Sequence, residues 1–150
     1  MPDYILQKPA KLTESELLLM QRHTIIGYDI LAGSASPLLR AAADIALTHH
    51  ERYDGTGYPN RLRGDAIPLV GRIVAVADVF DALTTRRPYK RAWTAEAAFA
   101  VVHESRGHHF DPACADAFLS ATGEVLKLRE LLKDQDATEE AIKDLPMVAL

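Results

Sequence analysis

Three histidines and an aspartate stand where an apolar helical pattern would place apolar residues: His23, His49, His50 and Asp78. His23 falls on a face with Met20, Gly27 and Ile30. His49 follows Ile45 and Ala46 at four and three residues, so it points where they point. His50 is turned about 100° further around the same helix. Asp78 lies within "IVAVADVFDAL", with Asp81 about one turn on. A carboxylate in so apolar a helix is costly without a partner, and a cation or a group of imidazoles would be one. Imidazole and carboxylate together suit a divalent ion such as Fe, Mn, Zn, Ni or Co. Two neighbouring histidines pointing apart could serve two such ions, and ions about 4 Å apart can activate water and clamp a phosphodiester. Taken singly, each histidine is more often an ordinary core or surface residue; the set of four is harder to dismiss.

The stretch "HHERYDGTGYP" follows directly. Gly55 and Gly57 permit positive φ or a close backbone approach. Tyr58 offers a flat face and a hydroxyl suited to a nucleotide, and Pro59 stiffens the exit. An ordinary turn would use the same residues. Beyond Asp81, "TTRRPYKRAW" gathers Arg86, Arg87, Lys90 and Arg91 around Tyr89 and Trp93. That cluster fits phosphate oxygens, although a solvated charged loop is the commoner fate of such runs. "HHERYD" is not a zinc-protease motif, since no histidine follows Glu51 at the required spacing. "DGTGYP" is neither a Walker loop nor a dinucleotide fingerprint. His103, His108 and His109 are read as structural or exposed residues.

Helices must position these groups. "LTESELLLMQRHTIIGYDILAG" opens on a capping box of Thr13 and Glu16 and stops near Gly33. Ser36 and Pro37 start a second helix that carries His49 and His50 at its end. "PLVGRIVAVADVFDALTT" is too long for one strand, despite β-branched residues over 72–76, and is expected to be helical. Thr94 to Gly107, and a stretch capped by Asp111 and Pro112, complete about five helices with one long loop near residues 54–68. The expected fold is all-α. The 150 residues fit one domain, with 1–122 as its body and 123–150 as a helical extension or tail. With 48% hydrophobic and 25% charged residues the composition is that of a globular protein. The formal net charge of −4 argues against binding a nucleic acid polymer through bulk charge. The single cysteine, Cys114, excludes an internal disulfide and is read as a small packed residue. No stretch reaches the roughly 18 apolar residues of a membrane span. No leader-like start is seen, so a cytoplasmic location is expected.

From "MPDYILQKPAKLTESELLLMQRHTIIGYDIL" through "HHERYDGTGYPNRLRGDAIPLVGRIVAVADVFDALTTRRPYKRAWT" to "GHHFDPACADAFL", the chain resembles the HD-GYP family. The likeness covers residues 1–119 and includes the triplet Gly57-Tyr58-Pro59. It implies an all-helical HD-type bundle whose N-terminal helices lie upstream of these residues. It implies hydrolysis of cyclic di-GMP to pGpG or GMP at a centre of two or three metal ions, often iron or manganese. His23, His49, His50 and Asp78 match metal-ligand positions, Asp81 a carboxylate beside the centre, Arg87 and Lys90 phosphate-holding positions, and Tyr58 one facing the nucleotide. The resemblance further implies an upstream receiver or other sensory domain and, in many members, a homodimer. It also implies an adjacent His-Asp pair followed by a lysine, and these 150 residues contain no His-Asp pair. The chain alone is therefore expected to show little or no phosphodiesterase activity, as a truncated sequence or one with a misplaced start would. The alternatives are a non-catalytic cyclic di-GMP sensor, a docking module for diguanylate cyclase domains through the GYP loop, or a phosphohydrolase of another cyclic dinucleotide. Leu126, Leu128, Leu131, Leu132, Ile142 and Leu145 could pack on the body or on another subunit.

Overall fold

The computed structural model describes residues 5, 8, 10–85 and 92–143, with 133–143 as backbone. Arg86, Arg87, Lys90 and Arg91 lie outside the described residues. Seven α-helices are found among those described: α1 (Glu14–Gln21), α2 (His23–Leu31), α3 (Pro37–Thr48), α4 (Leu69–Thr84), α5 (Ala95–Glu104), α6 (Pro112–Ser120) and α7 (Thr122–Lys143). The fold is all-α, with no strand among the described residues.

The helix starts are set locally. Glu16 N–H donates to Thr13 Oγ1 at 3.3 Å, and Thr13 N–H donates to Glu16 Oε2 at 2.7 Å, which satisfies two otherwise orphaned donors. Thr94 accepts from Ala97 N–H at 3.2 Å, and Asp111 from Ala113 N–H at 2.7 Å. Pro37 and Pro112 occupy first turns, where the missing N–H costs nothing.

The expected first helix is two. Its last turn tightens at Arg22, whose N–H reaches back three residues to Leu19 C=O at 3.2 Å, and α2 starts afresh at His23. The expected last helix is likewise divided at Ala121, between α6 and α7. The β-branched run at 72–76 is helical within α4.

The core lies around α4. Val76 packs with Val102, Phe110 and Ala115, with Cys114 partly buried against them. Phe80 packs with Ala95 and Ala98, and Phe99, Phe118 and Val125 close over that group. The first turn of α7 therefore belongs to the body, and Arg129 donates to Thr84 C=O at 3.0 Å. Further along α7, Leu128, Leu131 and Leu132 are exposed. No helix among the described residues is long and apolar enough to cross a membrane.

Two glycines let α2, α3 and α4 approach closely. A methyl on Gly27 would stand 3.0 Å from Ala46 Cβ. A methyl on Gly71 would collide with Thr48 Oγ1 and stand 2.9 Å from Thr48 Cβ. Thr48 is buried and its hydroxyl is committed to Asp44 C=O at 2.6 Å, so it has little room to yield. These contacts bring the start of α2 and the side of α4 to the end of α3, where His49 and His50 sit.

Candidate metal centre

His23 opens α2, while His49 closes α3 and His50 follows it. One ligand atom from each of the three lies within 4.8 Å of the other two. The ring centroids are 5.3 Å apart for His23 and His49, 5.0 Å for His23 and His50, and 4.1 Å for His49 and His50.

The hydrogen bonds decide what these rings can do. His23 Nδ1 is 2.8 Å from Met20 C=O, and His49 Nδ1 is 2.9 Å from Ile45 C=O. A carbonyl only accepts, so each Nδ1 is the donor, and the Nε2 of the neutral ring carries the lone pair. Those two Nε2 atoms face each other at 3.3 Å. Two lone pairs at that distance repel unless a proton or cation lies between them. Backbone carbonyls holding Nδ1–H are the usual arrangement behind metal-ligating histidines. The donor set thus fits a divalent ion. His50 fits it too: burial, then the neighbouring His49, His23 and His109, push its pKa down to about 4, so the ring is uncharged at neutral pH.

Asp78 is outside this group of three. It is exposed, which corrects the expectation of a costly buried carboxylate. Its charge still reaches Tyr58. Burial first, then Asp78, raise the Tyr58 hydroxyl to about 12, which keeps it a hydrogen-bond donor at any physiological pH. Asp81 is also exposed and accepts from Thr85 Oγ1 at 3.0 Å.

The GYP loop is fixed to the same helix end. Tyr58 packs its ring over His50, with centroids 4.8 Å apart, and its N–H donates to His50 C=O at 3.2 Å. Gly57 makes that possible by close approach rather than by positive φ. A methyl there would stand 2.6 Å from His50 O and Glu51 Cα and would strike Arg52 N. Gly55 does take a positive φ, 81°. Tyr58-Pro59 is a cis peptide.

Two residues that the sequence reading assigned no role organise this loop. Glu51 is 2% exposed and accepts from Asn60 N–H at 2.7 Å and Leu62 N–H at 3.0 Å. A glutamate directly after two candidate ligands was the available signal. His109, read as structural or exposed, supplies its backbone C=O to Tyr53 N–H at 3.0 Å. Its ring is half-buried against Phe110, and burial lowers its pKa to about 4.

The family model described as HD domain matches residues 1–114. The chain belongs to the HD domain family. Within it, the motif likeness to HD-GYP proteins is matched by relatives named as cyclic di-GMP phosphodiesterases. The chain is 59% identical over 118 residues to the cyclic di-GMP phosphodiesterase response regulator RpfG of Xanthomonas campestris pv. campestris, covering 79% of this chain and 31% of that protein. It is 47% identical over 133 residues to 3′3′-cGAMP-specific phosphodiesterase 2 of Vibrio cholerae, covering 89% of this chain and 26% of that one. The chain thus spans about a third or less of these relatives. A crystal structure of a cyclic GMP-AMP specific phosphodiesterase from V. cholerae shares the fold, with a TM-score of 0.52 at 20% identity, over 96% of this chain and 36% of that one.

Proposed function

We propose that this chain forms the histidine-rich side of a metal-dependent phosphodiesterase centre that hydrolyses cyclic di-GMP to pGpG or GMP. The observation that carries it is the facing pair of Nε2 lone pairs on His23 and His49, with His50 beside them. His23, His49, His50 and Asp78 hold the metal, iron or manganese by preference, with zinc, nickel or cobalt as the other ions this donor set accepts. A divalent ion bound here supplies Lewis-acid activation of water and neutralises charge on the phosphodiester. Tyr58 donates its hydroxyl to the nucleotide, and Gly57 keeps that ring against His50. Asp81 stands beside the centre. Arg87 and Lys90 grip phosphate oxygens, arginine in the bidentate way. On either side of them in the chain, Thr85 closes α4 and Trp93 N–H donates to Leu83 C=O at 2.9 Å.

The missing His-Asp pair would add ligands, so in this reading the chain alone turns over slowly. Full activity requires those ligands from elsewhere in a longer protein or from a second chain. An upstream sensory domain, a homodimer and a diguanylate cyclase contact through the GYP loop belong to the same reading. The relatives' names favour the hydrolase over a sensor without catalysis. The test is binding and turnover of cyclic di-GMP by the manganese-loaded chain beside His49→Ala. Metal-dependent binding with slow turnover, both lost in His49→Ala, is expected. Absence of binding to cyclic di-GMP and 3′3′-cGAMP alike would contradict the proposal.

A further inference from the structure

A pocket of about 630 Å³ opens between α1–α2 and the GYP loop, bounded by Leu18, Arg22, Ile25, Tyr58, Pro59 and Arg61 among others. Tyr58 lines it, and the Tyr58 ring packs over His50, so the pocket adjoins the histidine cluster through that one side chain. Its walls are of two kinds. Leu18, Ile25, Tyr58 and Pro59 offer apolar and aromatic surface on which a flat base can lie. Arg22 and Arg61, both exposed, are the two arginines of the lining, and neither makes an ion pair or side-chain hydrogen bond among the described residues. In a chain of net charge −4, two unpaired arginines on one pocket are a marked local excess.

Arg61 is further distinguished by its backbone. Its φ is 54°, making it a positive-φ residue that is not glycine. L-residues avoid that region, and such outliers gather at ligand sites.

We infer that this pocket is a guanine subsite, in which Arg22 and Arg61 read the O6/N7 edge of one base of the cyclic dinucleotide and so select guanine over adenine. The chemistry is that of arginine with guanine: the guanidinium donates two parallel hydrogen bonds to the O6 and N7 acceptors. Adenine presents an amino donor in place of O6 and repels one of them. The inference rests on the proposed phosphodiesterase reading and adds to it the residues that choose the base.

The experiment is calorimetric titration of the manganese-loaded chain with cyclic di-GMP and with cyclic di-AMP. It compares wild type, Arg22→Gln/Arg61→Gly and His49→Ala. Arg61→Gly relieves the left-handed backbone, so its melting temperature is expected to hold or rise. The wild type is expected to prefer cyclic di-GMP by about tenfold or more. The double variant is expected to weaken cyclic di-GMP about tenfold, leaving cyclic di-AMP within about twofold. A preference unchanged in the double variant, or an equal weakening of both ligands, would overturn the guanine subsite. In either case binding still lost in His49→Ala leaves the phosphodiesterase reading standing. Failure of the wild type to bind either ligand would overturn both.

Discussion

Glu51 shows how a residue that touches no ligand can govern a site. Its buried carboxylate takes two backbone N–H groups from residues 60 and 62, just past the GYP triplet. Removing it leaves both donors without a partner inside the loop. Glu51→Ala is therefore expected to cost roughly 3 kcal/mol in urea unfolding, with Glu51→Gln intermediate because its amide oxygen still accepts. An unchanged midpoint in Glu51→Ala would mean the loop is held by other contacts.

His109 provides a pH signature. Its pKa of about 4 lies below the ordinary value near 6.5, so between these the unfolded chain binds a proton that the native one refuses. Stability then falls as pH drops from about 6.5 toward 4, and rises again with alkali over the same window. Arg52 adds to the lowering and Asp54 opposes it, and His50 lies close enough to feel the charge of this ring. His50 at the end of α3 has the same pKa and slope. Unfolding of the chelator-treated protein at pH 5 and pH 7 should show this loss, and His109→Gln should flatten it partly. An equal slope in the variant would remove His109 from the explanation.

Helix ends and crossings show which features a sequence reveals. Thr13, Thr94 and Asp111 were legible as caps because a cap is satisfied within three residues. The break at Arg22 has no proline or glycine beside it, and Gly123, near the break at Ala121, lies inside α7. Both breaks arise where packing turns the chain, which local pattern does not encode. The partners of Glu51 lie nine and eleven residues away, across a loop without periodicity. Asp78 was recognised as unusual in an apolar helix, but which side of α4 faces water depends on where α3 and α5 pack. Gly71 is the crossing on which the histidines depend most, since it lies against Thr48, the residue before His49. Gly71→Val should cost about 2–3 kcal/mol by overpacking, and should weaken metal binding more than a surface substitution of equal cost. Retained metal affinity would show that the α3–α4 crossing does not set the site.

Taken together, the helices divide into a well-packed half and a barer one. α4, α5, α6 and the start of α7 enclose the apolar core, whereas α1–α3 leave Leu18, Ile30 and Leu38 at 60%, 76% and 77% exposure. The three histidines sit at helix ends, with the His23 and His49 rings fixed by backbone carbonyls. Residue type marked His23, His49, His50 and Asp78 as one expected set, and the geometry groups the three histidines and leaves Asp78 outside them. Titration of the metal-free chain with cobalt(II), followed by its visible absorption, tests the centre most directly. A histidine-ligated centre predicts saturable binding with bands of nitrogen coordination, lost in both His23→Ala and His49→Ala while the helical circular dichroism is retained. Binding that both variants keep, or no binding by the wild type, would contradict it.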